Sequence, residues 1–400
     1  MASCLLPLAS CLLPVALAST ASADPPAGYY NSVDATDAGT LRASLHEVID
    51  DHLRFPYTSG STDTWNILEL AEQDPADSGK IIDVYRNRSY DKIGGGVGPY
   101  HREHTWPKSY GFPDDNGGNY PYTDCHQLYL CDSGYNSSRG NKPFRYCSAG
   151  CSEKPTDAND GHGGGSGSYP GNSNWTSGSS TSGTWEIWIG RRGDVARAQF
   201  YLDVRYEGGN HGVTGAWEPD LILTDNQTLI SNSSTGNNET VAYMGMLSVL
   251  LQWHLEDPVD DRERARNDVV FGFQGNRNPF VDHPEWVECL FNGNCICQVD
   301  ADCDDSLFCN GAETCDTVLD CQPGSPACPA GTWCDEAGDA CPALGDFDFD
   351  GDVDLSDFRW FQGCYDQPAT GGCEAGDFSG DQFVDQDDYP GFESQLSGPM

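Results

Sequence analysis

Eight cysteines, Cys297, Cys303, Cys309, Cys315, Cys321, Cys328, Cys334 and Cys341, recur at intervals of six or seven residues with almost no apolar residues between them. So short a stretch cannot bury enough surface to offset its chain entropy, and cross-links must hold it. Zinc would need CxxC pairs or histidines, and the stretch has neither. The spacing fixes no connectivity. It does partition the chain: residues 1–23, 24–296, 297–343 and 344–397 read as four segments of different physical character.

Charge follows the same partition. Residues 291–400 hold 24 acidic residues and one basic residue, Arg359, a net −23 out of the chain's −41. Such acidity argues against a polyanionic partner for the C-terminal part. Nearly all cations lie upstream, where a local positive site remains open. Ten Trp, eighteen Tyr and sixteen Phe exclude a disordered acidic polymer. No run of eighteen apolar residues offers a membrane span.

Residues 1–23 read as an export signal: an apolar run from Cys4 to Leu17, then Ala21-Ser22-Ala23 as a small-x-small cleavage pattern before Asp24. Its removal takes Cys4 and Cys11 with it and leaves sixteen cysteines, the even number expected of an oxidised, exported chain.

Within 24–296 the expected fold class is α+β and mainly helical. Leu41, Leu45, Val48, Ile49 and Leu53 recur at helical spacing behind Thr40, read as an N-cap. The apolar run from Val241 to Trp253 predicts a buried helix. Asp260 and Asp261 open another helix, and the Gly/Ser/Asn-rich stretch from Gly161 to Gly183 reads as a loop.

The chemistry begins at His101-Arg102-Glu103-His104-Thr105-Trp106-Pro107-Lys108-Ser109. At a strand end, Glu103 can reach a hard cation while His104 faces a water, and an imidazole suits general-base work near neutrality. The second patch runs from Asp124 and His126 through an apolar strand, Leu128 to Leu130, into Asn136, Arg139 and Asn141. If that segment turns into a helix, Asn136 and Arg139 share a face at i, i+3. A strand, loop, strand and helix holding Glu103, His104 and Asn136 would make a one-metal phosphodiester-cleaving site. Mg²⁺ suits it, because that ion keeps most of its waters and needs few protein ligands.

Four blocks carry a resemblance to a known family: Arg102–Ser109; Asp124–Phe144; Gly193-Asp-Val-Ala-Arg197 to Arg205-Tyr206; and Trp253-His-Leu-Glu-Asp-Pro258 through Gln274-Gly-Asn276-Arg-Asn278-Pro279. Together they resemble the endonuclease I family of exported bacterial nucleases, closest in wording to its Gram-positive extracellular ribonuclease/DNase branch. The resemblance implies a ββα-metal (His-Me finger) core, His104 as general base, Glu103 and Asn136 as Mg²⁺ ligands, and 5′-phosphate products from DNA and RNA. Where some relatives carry an acidic residue, this chain has Tyr122. The loop Gly111–Tyr120 lacks the family's phosphate-binding arginine, so Arg139 is expected to take that role. Arg102, Asp124, His126, Asn141, Gln274, Asn276 and Asn278 read as supporting residues. Arg191, Arg192, Arg197 and Arg205 read either as a phosphate-facing stripe, with Arg197 the first candidate for contact, or as a salt-bridged helix surface.

In the last segment Asp346, Asp348, Asp350, Asp354 and Asp357 occupy positions 1, 3, 5, 9 and 12 of a calcium loop, with Asp352 at 7 and Gly351 at the sharp turn. Asp377, Ser379, Asp381, Asp385 and Asp388 repeat the register thirty-one residues later, with Gln382 in place of the glycine. The duplicated loop-helix unit resembles dockerin-type modules, which implies bound Ca²⁺ and a protein partner. Cys364 and Cys373 are placed to pair across the intervening turn. The reading is therefore a secreted, sequence-independent endonuclease, free or held at the cell surface by its tail. A non-catalytic adhesion protein is the alternative, opposed by the intact Glu103, His104 and Asn136 set. A nuclease that borrows the tail's Ca²⁺ is a third.

Overall fold

The computed structural model describes residues 25–148, 150–165, 167–295, 300, 303, 307–316, 320–325, 327–329, 332–335, 338–369 and 372–397. The expected export signal, with Cys4 and Cys11, and also Cys297, lie outside the described residues. The chain divides into two compact units, Met1–Gly293 and Asn294–Met400.

The first unit is α+β, with helices set among small separate sheets. Two antiparallel sheets have three short strands each, Gln73–Asp74, Asp77–Ile82 and Ser89–Asp91 in one, Ser152–Lys154, Asn174–Ser177 and Thr184–Glu186 in the other. The second of these gives strand structure to part of the stretch read as a Gly161–Gly183 loop. An antiparallel pair, β1 (Tyr100–His104) and β2 (Leu128–Asp132), runs in the register Glu103 opposite Tyr129 and His104 opposite Leu128. It leads directly into helix α1 (Ser133–Arg139), whose N-cap Asp132 accepts from Gly134 N and Tyr135 N.

This pair is held from below by an apolar cluster. Tyr100, Leu128 and Leu130 pack with Trp65, Ile67 and Leu68 of the helix Thr64–Ala71 and with Val270 of the helix Asp261–Gln274. The six aliphatic and Tyr members named are fully buried and Trp65 is 4 % exposed, which places the strand end on a rigid base.

The helix Arg192–Arg205 is buried along its whole length although its sequence is rich in arginine. Burying a guanidinium is tolerable only with a carboxylate partner and saturated donors. Each arginine has one: Arg191 pairs with Asp194, Arg192 with Glu186 and Glu256, Arg197 with Glu263, and Arg205 with Glu218 and Asp50. Arg197 is therefore not a phosphate contact. It is wholly buried, its Nε 2.8 Å from Glu263 Oε1, and the salt-bridged alternative holds with its partners in the core rather than on a surface.

Two local expectations are corrected. The helix Ala38–Ile49 is capped by Asp37, which accepts from Gly39 N and Thr40 N at 2.8 and 2.9 Å; Thr40 lies in the first turn. The run Val241 to Trp253 is not one helix. Val241–Met244 is a strand paired parallel to Asp220–Leu223, and the helix is Leu247–Glu256. Gly245 separates them because its backbone passes so close to Thr224 O that a Cβ there would stand 2.0 Å away. The predicted helix after Asp260 is present as Asp261–Gln274, with Asp260 Oδ1 accepting from Glu263 N.

The even cysteine count does not mean complete pairing: Cys125 and Cys131 are buried free thiols, while Cys147 bonds Cys151. In the second unit Cys303–Cys321, Cys309–Cys334 and Cys328–Cys341 cross-link the cysteine-rich stretch, and Cys364–Cys373 closes the turn as expected. There a small core of Phe347, Val353, Phe361, Val384 and Phe392 brings together the helices Leu355–Cys364 and Tyr389–Gln395.

Candidate functional site

A cleft of about 420 Å³ opens over the end of β1 and the exposed side of α1. Glu103, His104, Asn136 and Arg139 line it together with Arg102 and Asn141, so the two sequence patches meet in one place.

Glu103 is 3 % exposed, and its Oε1 accepts from Tyr85 Oη at 2.8 Å and stands 2.9 Å from Arg139 Nη1. Burial pushes its carboxyl above the usual range, against the pull of the Arg139 charge and the Tyr85 hydrogen bond. Both partners hold Oε1. Oε2 has no protein partner among the described residues and is the oxygen left to a ligand.

His104 is 8 % exposed and fixed by its Nε2, 2.9 Å from the carbonyl of Tyr122. A carbonyl can only accept, so Nε2 carries the proton and Nδ1 keeps the lone pair. The Tyr57 ring stacks on the imidazole at 5.8 Å, and Tyr122 meets it edge-on at 5.1 Å. Burial holds the imidazole down at about 3, with Lys108, Arg102 and Arg139 adding to the effect and the Tyr122 carbonyl opposing it. The ring is thus a neutral acceptor at neutral pH. Asn136 donates Nδ2 to Arg102 O at 3.4 Å, which leaves Oδ1 without a protein partner among the described residues.

Arg139 corrects an expectation. It does not project to meet a phosphate. Nη1 donates to His104 O at 2.9 Å as well as meeting Glu103, Nη2 donates to Thr105 O at 2.6 Å, and the guanidinium lies 4.8 Å from the centre of the Phe144 ring. It is 1 % exposed and clamps the strand end, because a buried guanidinium needs all the acceptors it can find. Arg102 is held similarly: it donates to Tyr57 O, Thr64 Oγ1 and Thr58 Oγ1, and lies over the Tyr57 and Trp65 rings.

Asp124, His126, Gln274, Asn276 and Asn278 form a buried network behind the strands and do not line the cleft, whereas Asn141 is exposed at its edge. Asp124 accepts from Tyr201 Oη, Tyr206 Oη, His126 N and Gln274 Nε2. His126 Nε2 meets Asn276 O at 3.0 Å, Asn276 donates to Ile49 O and Tyr201 Oη, and Asn278 caps Pro279–Asp282 while donating to Arg197 O. Asn141 accepts from Tyr110 Oη through its carbonyl.

Sequence reasoning missed the anchors. Tyr85 lies eighteen residues before Glu103 with no local pattern to mark it, and the Tyr122 carbonyl is a backbone atom that carries no sequence signal. Lys108 and His101 belong to the same motif, but nothing in their spacing marks a role. Both are exposed and line the cleft, Lys108 Nζ standing 2.8 Å from Tyr122 Oη.

In the second unit the two acidic loops share one backbone. Asp357 accepts from Asp348 N and Asp354 N; Asp388 accepts from Ser379 N and Asp385 N at the equivalent places. Gly351 N donates to Asp346 Oδ2, and Gln382 N to Asp377 Oδ2. Phe349 and Gly351 have φ of 61° and 93°, Gly380 and Gln382 of 77° and 72°, so Gln382 takes up the left-handed turn that Gly351 makes. Oxygens of Asp346, Asp348 and Asp350 lie within 4.8 Å of one another, as do those of Asp352, Asp354 and Asp357.

Residues 38–285 match the family described as endonuclease I. The chain is similar to the extracellular ribonuclease of Bacillus amyloliquefaciens, 39% identical over 272 residues, which cover 67% of this chain and 79% of the relative. It is also similar to the extracellular ribonuclease of Bacillus subtilis (strain 168), 37% identical over 263 residues, 65% of this chain and 77% of that one.

Proposed function

Because this chain belongs to the endonuclease I family, we propose that it is an exported, sequence-independent endonuclease that hydrolyses phosphodiesters of DNA and RNA at the cleft of Glu103, His104 and Asn136. The observation that carries the reading is the pairing of a neutral imidazole, its Nε2 pinned to Tyr122 O, with a buried carboxylate in one cleft.

The donor set fits a hard divalent cation. Glu103 Oε2 and Asn136 Oδ1 are oxygen atoms without protein partners among the described residues, and two such ligands suffice for Mg²⁺, which retains its other waters. Bound there, the ion supplies Lewis-acid neutralisation of charge at the phosphoryl oxygens. The chain's own part is proton handling and positioning. His104 Nδ1 takes a proton from the attacking water, the oxygen attacks phosphorus, and the bond to O3′ breaks; O3′ takes a proton from solvent water to become a hydroxyl, and the 5′-phosphate remains on the other fragment. Tyr85 and Arg139 fix the Glu103 carboxylate, and Arg139 also holds the carbonyls of His104 and Thr105, so the base and the ligand keep their relative place. Affinity drawn from phosphates would need no base-reading element.

In the second unit, the two matched loops are read as Ca²⁺ sites on a dockerin-like module that docks to a protein partner. The carboxylates clustered at Asp346, Asp348 and Asp350, with Asp357 at the twelfth position, supply the hard oxygen donors.

Digestion of plasmid DNA and of structured RNA by the purified mature chain, in EDTA, Mg²⁺ or Ca²⁺, tests the proposal. Cleavage with Mg²⁺, silenced by EDTA, is the expected result; no cleavage of either polymer with any of the three refutes it. A chain lacking residues 346–400 that cleaves with Ca²⁺-independent, undiminished rate separates the tail from the chemistry.

A further inference from the structure

The nuclease unit is acidic overall and its arginines are largely spent inside it. Three lysines are the exception around the cleft. Lys108, Lys142 and Lys154 have no carboxylate within ion-pair distance among the described residues: their ammonium groups meet Tyr122 Oη, Ser138 O and the face of Tyr135. Lys108 is exposed, and Lys142 and Lys154 are partly exposed.

Their placement is ordered. Lys108 and Asn141 line the cleft, and Lys142 is the next residue after Asn141, beyond the end of α1. Lys154 enters from the strand Ser152–Lys154 and lies 5.7 Å from the centre of the Tyr135 ring, on the same helix. Lys142 and Lys154 repel each other: Lys142 is held below the ordinary lysine range by partial burial, then by Lys154 and Arg139. An anion laid along them relieves that repulsion. Arg86 also approaches Tyr135, at 5.9 Å, but Asp132 and Asp157 neutralise it and it stands outside the strip.

We propose that Lys142 and Lys154, continuing from Lys108 at the cleft, form a strip that binds the backbone phosphates of a polynucleotide strand flanking the scissile bond, with Tyr135 as an aromatic floor. The inference rests on the nuclease reading and gives it a direction: the strand leaves the cleft along α1. Phosphate contacts of this kind confer affinity without sequence preference and are lost with salt.

Binding of a fluorescein-labelled twenty-nucleotide single-stranded DNA to the full mature chain, followed by anisotropy in EDTA from about 50 to 300 mM salt, reads the strip without catalysis. In K142Q/K154Q the affinity at low salt should fall about tenfold, and the slope of log K against log salt should become shallower by about 1.4, or ~0.7 per lost phosphate contact. Because Lys142 also donates to a carbonyl at the helix end, K154Q alone is the second variant, with a slope change of about 0.7. K80Q, whose lysine pairs with Asp77, is the control and should bind as the parent does. Parallel slopes in parent and variants, or no binding by the parent, would overturn the strip. The rate on bis(p-nitrophenyl) phosphate with Mg²⁺ should be unchanged in K142Q/K154Q; an equal loss there would place the lysines at the reacting centre instead. Parent and variants that bind as expected yet cleave nothing would sink the nuclease reading and keep the strip.

Discussion

Arg139 Nη1 and the Glu103 carboxylate stand 2.9 Å apart, both nearly excluded from solvent, and the same carboxylate oxygen receives the Tyr85 hydroxyl. The pair joins α1 to the end of β1, so the proposed ligand Asn136 and the proposed base His104 are tied to one rigid unit. Removing the cation leaves a buried carboxylate without compensation, which costs more than the pair itself contributes.

Arg139→Met should therefore destabilise the first unit by about 3–5 kcal/mol, read as a lowered denaturant midpoint. Tyr85→Phe removes only one hydrogen bond and should cost about 1 kcal/mol. Its larger effect should be on the ion: Mg²⁺ activation should shift to concentrations about tenfold higher, as removal of a group that orients a ligand does. An unaltered Mg²⁺ dependence in Tyr85→Phe would remove that hydroxyl from the site.

His104→Ala takes away the only proton acceptor that the Tyr122 carbonyl orients into the cleft. Turnover should fall by at least about 10²–10⁴-fold, while binding of a labelled strand in EDTA stays within about twofold and the far-ultraviolet spectrum is retained. Residual activity close to the parent's would assign the proton transfer to another group.

How much of this could be read from the chain alone follows from what each contact depends on. The β1–β2–α1 unit rests on a local pattern visible in sequence, the apolar run from Leu128 to Leu130 leading into a polar segment, although the Asp132 cap that starts α1 shows only in the structure. The helix after Asp260 shows for the same reason. The ion pairs inside Arg192–Arg205 depend on acids far along the chain, Arg197 on Glu263 and Arg205 on Glu218, and an arginine-rich helix looks alike whether its partners are protein carboxylates or phosphates. Arg139 is open to the same ambiguity, because its carboxylate partner Glu103 sits on a different element. The segment Val241–Trp253 misled because apolar runs do not separate a strand followed by a helix from one long helix; the break rests on the contact of Gly245 with Thr224 O.

Acid should weaken the first unit through histidines that burial keeps neutral. His126, buried against Asn276 O, is held down at about 4 by burial, against the pull of Asp124. Above about pH 6.5 it is neutral in both folded and unfolded chains and contributes no pH dependence. Between about 6.5 and 4 the unfolded chain takes up a proton that the folded one refuses, so stability falls as pH falls. Buried Asp83, raised to about 6 by burial, works in the opposite sense, so a difference between variants is the clean measure. His126→Gln keeps a donor for Asn276 O and removes the titration. Its unfolding free energy should lose less on acidification than the parent's, by up to about 1.4 kcal/mol per pH unit in that window. Identical pH profiles would show that His126 titrates alike in both states.

The second acidic loop carries its turn on Gln382 at φ 72°, where the first loop has Gly351 at φ 93°. A residue with a Cβ in the left-handed region costs roughly 1–2 kcal/mol, and a glycine there gives back part of that gain through the extra freedom of the unfolded chain. Gln382→Gly should therefore stabilise the loop by about 0.5–1 kcal/mol net. Gly351→Gln should do the reverse in the first loop. The backbone hydrogen bond at this position, from Gln382 N to Asp377 Oδ2, is independent of the side chain and survives the exchange. If both loops bind Ca²⁺ as proposed, calorimetric titration of the full chain should show the weaker of two sites tightening in Gln382→Gly, and the stronger one weakening in Gly351→Gln. Affinities that do not respond to either exchange would mean that the turn is already relaxed and that the two loops differ for another reason.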